Sequence, residues 1–353
     1  MPDSNLLIKH RSRLFLKRIV LATILCLLVP TLLFGGWLSL YGFRSGPKTS
    51  LPNAVVVIPR GSSLQSIGTI LAAKGVIFED VRFLILAKIS GYSRVLRAGE
   101  FRLDTGQKPL EVLRVLASAK AIQYAITIPE GLQASEIAEV FGEGGWFDPR
   151  SFANLMVDKE FIANQGFAGV DSLEGYLFPD TYVLTRDVRG AEKIMGLMTS
   201  RFNKVWAEIT AKLEEKPNRQ RTVILASMVE KETAAPAERP LIAGVFINRL
   251  QLGMRLQSDP TVVYGLGKHA GTITRSDLQT PTPYNTYTIA NLPAGPICSP
   301  GKDALLAVLV PKATKDLYFV SKNDGTHHFS ETLAEHNSAV QKYQRKKKGD
   351  KGR

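Results

Sequence analysis

Hydrophobic and polar positions change pattern four times along the chain, and the first change is the sharpest. Residues 19–41, IVLATILCLLVPTLLFGGWLSLY, contain no charged side chain, and about 20 such residues cross a bilayer core as a helix. The run predicts a membrane span, with Pro30 as a tolerated kink. Basic residues precede it, and Trp37 and Tyr41 lie at its far end. The positive-inside rule then puts residues 1–18 in the cytoplasm and the rest of the chain outside. A cleaved leader is the alternative, but its apolar core would be only about 7 to 15 residues and followed by a small-residue cleavage site. The next segment, GFRSGPKTSLPN at 42–53, is rich in Gly, Ser and Pro and reads as a tether.

The second pattern occurs twice. VVIPRGSSLQSIGTIL begins at Val56 and ITIPEGLQASEIAEVF at Ile126, so that Pro59 and Pro129, Gly61 and Gly131, and Ile67 and Ile137 share one offset. Each copy predicts a β-branched strand, a Pro-x-Gly turn and a helix with apolar residues three and four apart. Two copies are too few for a solenoid. After the first copy, a helix over 79–89 and a strand over 97–103 complete a strand–helix–helix–strand unit spanning 54–120. Its element order and its I-P-x-G-x-S-L opening resemble the LysM carbohydrate-binding module; a small ligand-free spacer is the other reading.

The third pattern is helical, over 191–215 and 221–231. Turn residues then take over in TPTPYNTYTIANLPAGPICSPG at 280–301, a loop long enough to suggest a function. A strand at 316–321 and the polar KNDGTHHFSETLAEHN follow. The QRKKKGDKGR end reads as a solvated tail within 342–353. The whole predicts an α+β fold, with 121–341 as the main domain.

Composition adds little until charge is placed. The formal net charge is +13, but residues 1–18 hold five Lys/Arg against Asp3, and residues 342–353 hold seven against Asp350, leaving +3 for the body. A nucleic-acid binder carries its basic footprint on the fold, so that class is excluded. Cys26 lies inside the span and Cys298 is alone beyond it, so no internal disulfide staples the body.

Chemistry is sparse. No G-x-S-x-G, phosphate-binding Gly-rich loop, C-x-x-C or H-E-x-x-H occurs beyond the span. His327, His328 and His336 invite a metal reading, but adjacent residues on a strand face opposite ways and His336 falls in a helix, so no metal site is expected. In ASMVEKET, at 226–233, a helix puts Val223, Ala226 and Glu230 on one apolar face, with Glu232 pointing away. A desolvated carboxyl at Glu230 would favour its neutral form and suit a general acid; a surface glutamate is the alternative.

ASMVEKET with VFINRL, MRLQSDPTVVYGLG, TPTPYNTYTIANLPAGPI, FSETLAEHN and LEGYLFPDTY at 173–182 resembles the membrane-anchored endolytic murein transglycosylases of the YceG-like family. The likeness covers nearly everything past the span. NLPAGPI departs from it, with Ala294 where the family commonly has Pro. The resemblance implies a catalytic glutamate at Glu230, no cofactor, and cleavage of the β-1,4 bond between N-acetylmuramic acid and N-acetylglucosamine without water. It also implies 1,6-anhydromuramyl ends, an inner-membrane anchor with a periplasmic body, and peptidoglycan synthases as partners. Glycosidases generally use two carboxylates, whereas an attacking C6 hydroxyl on the same sugar needs one. Asn248, Gln257, Ser258, Asp259, Asn285, Tyr287 and Asn291 are the expected cleft residues; for Asp259 a turn role is equally open, and Arg249 reads as a structural ion pair. A noncatalytic glycan-binding scaffold and a metal hydrolase on the histidines are the rival readings.

Overall fold

The computed structural model describes residues 4–47, 50–118, 120–267 and 273–345; most of the basic tail lies outside them. Helix and strand are mixed, and the chain divides into two compact units, one reaching Tyr124 and including Thr185–Asp187, the other formed by Ala125–Leu184 and Val188 onward.

The first unit begins with α1, Ser4–Gly42, which runs through Pro30 without ending. The Thr23 and Thr31 hydroxyls donate to the carbonyls of Ile19 and Leu27, so neither is left unsatisfied in an apolar stretch. Strand β1, Asn53–Ile58, is followed by α2, Leu64–Ala73, α3, Arg82–Ile89, β2, Gly99–Asp104, and α4, Pro109–Ser118. The strand–helix–helix–strand order matches the expectation. β1 and β2 are antiparallel with Val56 opposite Phe101, and their inner residues meet Leu71, Phe83 and Leu113 in one core. Leu38 and Tyr41 of α1 belong to that core. Inside the segment read as a tether, the Gly46 N–H donates to Gln107 O at 3.0 Å, so the chain is held on the unit at that point.

The second unit opens with β3, Tyr124–Thr127, and α5, Ala134–Glu143, then α6, Pro149–Val157, α7, Lys159–Asn164, and β4, Thr181–Leu184, which pairs with β3. Gly61 and Gly131 have φ of +78° and +81°, so both copies of the repeat turn through the same left-handed residue that glycine adopts freely. They differ at the helix start. Ser63 accepts from the Ser66 N–H ahead of α2, whereas Gln133 and Glu136 form a reciprocal capping box on α5.

Helix α8, Ala191–Thr210, stops short of the expected 215. Asn218 caps α9, Arg219–Glu232, by accepting the Arg221 N–H at 2.9 Å. Thr222 through Val229 are all buried, which is why α9 lacks a polar face: a helix apolar all round is a core helix. It packs against α10, Arg239–Gln251, and α13, Lys302–Leu309. Gly175 lies so close that a Cβ there would come within 2.5 Å of Pro296. Short helices α11, Asp259–Gly265, and α12, Arg275–Gln279, precede the long loop, and β5, Tyr318–Ser321, forms an antiparallel hairpin with β6, His327–Ser330, before α14, Leu333–Val340.

Candidate active site

Because α9 is buried on every side, its last turn delivers two acids into protein in different directions. Glu230 meets charge. The Arg239 guanidinium donates to its Oε1 at 2.9 Å and the Gly301 N–H to its Oε2 at 3.0 Å. Its side chain is 6% exposed and that of Arg239 10%, so this is a buried ion pair. Glu130 and Asp303 approach the same guanidinium at 3.5 and 3.7 Å. None of the residues expected to line a cleft is among these partners.

Glu232 meets a cavity. About 340 Å³ in volume, it is lined by Glu232, Arg249, Leu256, Gln257, Asp259, Tyr287, Tyr318, Phe319, Leu333 and His336. The Ser258 hydroxyl donates to Glu232 Oε1 at 2.5 Å. Burial pushes the Glu232 carboxyl up to about 7; the Ser258 bond pulls it back, and the charge of Asp259 pushes it higher. A carboxylic acid holding its proton to neutral pH, open to a pocket, is the arrangement expected of a general acid. Glu232 leaves the helix in a different direction from Glu230, but into protein rather than solvent; with Thr222–Val229 buried on every side, the apolar stripe through Val223 and Ala226 does not by itself mark a ligand face.

Four of the seven expected cleft residues gather here. Ser258 touches Glu232 directly. Gln257 sits at φ +51°, a left-handed conformation unusual for a side-chain-bearing residue, held by its N–H bond to Thr286 O at 3.2 Å. Asp259 accepts from the Tyr287 hydroxyl at 2.6 Å, which holds its side chain in place. That hydrogen bond and burial raise the Tyr287 pKa above the ordinary phenol range.

The other three lie elsewhere. Asn285 is 1% exposed and spends its amide on the carbonyls of Thr280 at 2.7 Å and Leu278 at 3.1 Å, fixing the long loop. The Asn248 amide serves the carbonyls of Thr314 and Asp316. Asn291 is exposed and does not line the cavity. Arg249, read as an ion-pair residue, donates to the carbonyls of Leu317 and Leu256 at 2.6 and 2.7 Å. It clamps β5 to the start of the MRLQSDP segment.

The sequence reading did not assign Tyr318 and His336 to the site. Tyr318 stacks on His336 with centroids 5.3 Å apart, and Arg249 lies over the other ring at 5.3 Å. Burial holds the His336 imidazole below its usual range, and its Nδ1 is shielded without a hydrogen-bond partner. His327 is bound to Glu238 at 2.7 Å and His328 lies against Tyr343. Among the described residues no three His, Cys, Asp or Glu side chains are grouped as metal ligands.

The profile of the YceG-like family matches residues 56–342. An endolytic murein transglycosylase from Bacillus subtilis (strain 168) is 34% identical over 313 residues, covering 84% of this chain and 86% of its own length. One from Streptococcus pneumoniae serotype 2 is 29% identical over 317 residues, 81% of this chain and 57% of that longer protein. The crystal structure of a yceG-like protein from Listeria monocytogenes superimposes with a TM-score of 0.55 at 32% identity, covering 81% of this chain and 99% of that one. A match over most of the chain, joined to a shared fold and to motifs that converge on the Glu232 pocket, identifies this chain as a member of the YceG-like family.

Proposed function

We propose that this chain is a peptidoglycan lytic transglycosylase that cuts the β-1,4 bond between N-acetylmuramic acid and N-acetylglucosamine within glycan strands, with Glu232 as its acid and base. The observation that carries this reading is a buried carboxyl, its pKa pushed up to about 7 by burial, opening into a cavity lined by amide, carboxylate and aromatic groups. The names of the relatives support the substrate class. The glutamate that family resemblance suggested, Glu230, is instead engaged by Arg239 and Gly301.

In the proposed reaction Glu232 gives its proton to the leaving O4 as the bond from C1 breaks. The C6 hydroxyl of the same muramic acid attacks C1, and its proton passes to the Glu232 carboxylate. The products are a 1,6-anhydromuramyl end and a free O4 hydroxyl, and the enzyme is restored. One residue serves as acid and then base because the nucleophile is tethered to the reacting ring, which supplies the proximity term. Asp259, held by Tyr287, places negative charge where the oxocarbenium-like centre develops. Tyr318 and His336 add aromatic surface to the cavity lining.

The apolar helix ending at Gly42, with a basic N-terminal flank, supports a single-pass inner-membrane anchor with a cytoplasmic N-terminus and a periplasmic body. The first unit is LysM-like in element order. The enzyme then cuts nascent strands beside the synthases and limits their length.

Mass spectrometry of products tests this, with the full chain in nanodiscs acting on purified strands. Anhydromuramyl fragments from the parent and from Glu230→Gln, and none from Glu232→Gln, are expected. Activity lost in Glu230→Gln but kept in Glu232→Gln would return the acid to Glu230. Reducing ends would mean a water-using hydrolase.

A further inference from the structure

The end of α1 is built into the first unit rather than separated from it. Leu38 and Tyr41 are in its core, and the Tyr41 hydroxyl donates to Phe78 O at 3.3 Å. The guanidinium of Arg82, paired with Asp80 at 2.6 Å, lies 4.9 Å from the Tyr41 ring and 5.3 Å from the Trp37 ring. Trp37 is one helical turn, about 6 Å, nearer the membrane than Tyr41. The loop carrying Phe78 to Arg82 therefore stands at the depth of the span's own aromatic interface.

What that loop presents is apolar. Phe78 is 43% exposed and Val81 62%, and Phe43, just past α1, is 63% exposed. Scattered apolar residues on a surface are ordinary. These adjoin the terminus of α1, where Phe43, with Gly36, Ser39, Leu40, Arg44 and Arg82, lines an open concavity of about 840 Å³. Arg44 lies over Phe78 at 5.0 Å, joining a cation to the apolar rim. From Ile19 to Tyr41 the helix rises about 33 Å, a few ångströms more than the roughly 30 Å hydrocarbon layer, so its last turn falls among headgroups.

We infer that the first unit is seated in the headgroup layer of the membrane that α1 crosses, with Phe43, Phe78 and Val81 at the acyl boundary and Arg44 on lipid phosphate. Apolar side chains buried to that depth hold amphipathic surfaces on bilayers. The seating fixes the first unit's distance from the bilayer. It rests on the reading of α1 as a span.

Nitroxide labels at Val81→Cys, at Phe43→Cys and at Leu28→Cys in mid-helix test it. The full chain carries Cys26→Ser, since Cys26 is exposed and Cys298 is buried, and is placed in phosphatidylglycerol–phosphatidylcholine nanodiscs. Collision with a water-soluble nickel chelate is compared with oxygen. The Val81 and Phe43 labels should collide with nickel several-fold less than a label at the exposed Glu214, with oxygen favoured. Full nickel access at both, with Leu28 protected, would overturn the seating and leave the span intact. Nickel access at Leu28 would overturn the span itself.

Discussion

The Ser258 hydroxyl donates to Glu232 Oε1 at 2.5 Å, joining the last residue of α9 to the residue just ahead of α11, 26 positions on. That bond separates the two glutamates of the VEKET segment, because Glu230 has an arginine for a partner and Glu232 a hydroxyl at the edge of a cavity.

If Glu232 is the acid, activity requires its proton and the alkaline limb of the pH–rate profile falls near 7, where the carboxyl titrates. Ser258 stabilises the carboxylate, so Ser258→Ala moves the limb upward by roughly half to one unit, the worth of one hydrogen bond of about 1 kcal/mol. An unchanged limb would detach that titration from Glu232. Glu232→Gln should lower turnover by about 10² to 10⁴-fold.

The same shift predicts a stability trade. Glu232 has a folded pKa near 7 against an ordinary 4.5. Its contribution is therefore fully present below about pH 4.5 and is lost as pH rises through 7. Glu232→Gln escapes that loss and should be more stable than the parent at pH 8 by up to about 3 kcal/mol, with the difference closing in acid. Urea unfolding at pH 4 and pH 8 reads it directly.

Breaking the Glu230–Arg239 pair should cost stability first. Glu230→Ala leaves a guanidinium that is 10% exposed with only the longer contacts to Glu130 and Asp303, and a stripped buried pair costs about 3 kcal/mol. Thermal unfolding should show the loss, while glycan cleavage per folded molecule changes little.

Two cleft expectations separate in the same way. Tyr287→Phe removes the hydroxyl held by Asp259 and should reduce turnover with unfolding nearly unchanged. Asn285→Ala strands the Thr280 and Leu278 carbonyls and should destabilise by about 2 kcal/mol. Steady-state kinetics set beside melting curves distinguish the two.

Much of the plan was legible in sequence because it depends on local rules. An uncharged 23-residue run specifies a long helix, and a Pro-x-Gly turn before a three-and-four apolar period specifies a strand and a helix. Ser258, Asp259, Gln257 and Tyr287 were legible as chemistry. Which glutamate they surround was not. Helical spacing assigns a ligand face only when the opposite face meets solvent, and Thr222 to Val229 are buried all round. Likewise Asn248 and Asn285 have the residue type of a sugar binder, but neighbouring carbonyls claim their amides. Sequence by itself determined most of the elements and pointed to four of the groups beside Glu232; only the tertiary structure decided which acid receives a hydroxyl and a cavity and which receives an arginine. Burial and pairing depend on how other elements pack on α9, bringing Arg239 and Gly301, 9 and 71 residues away, to Glu230, and Ser258, 26 residues away, to Glu232.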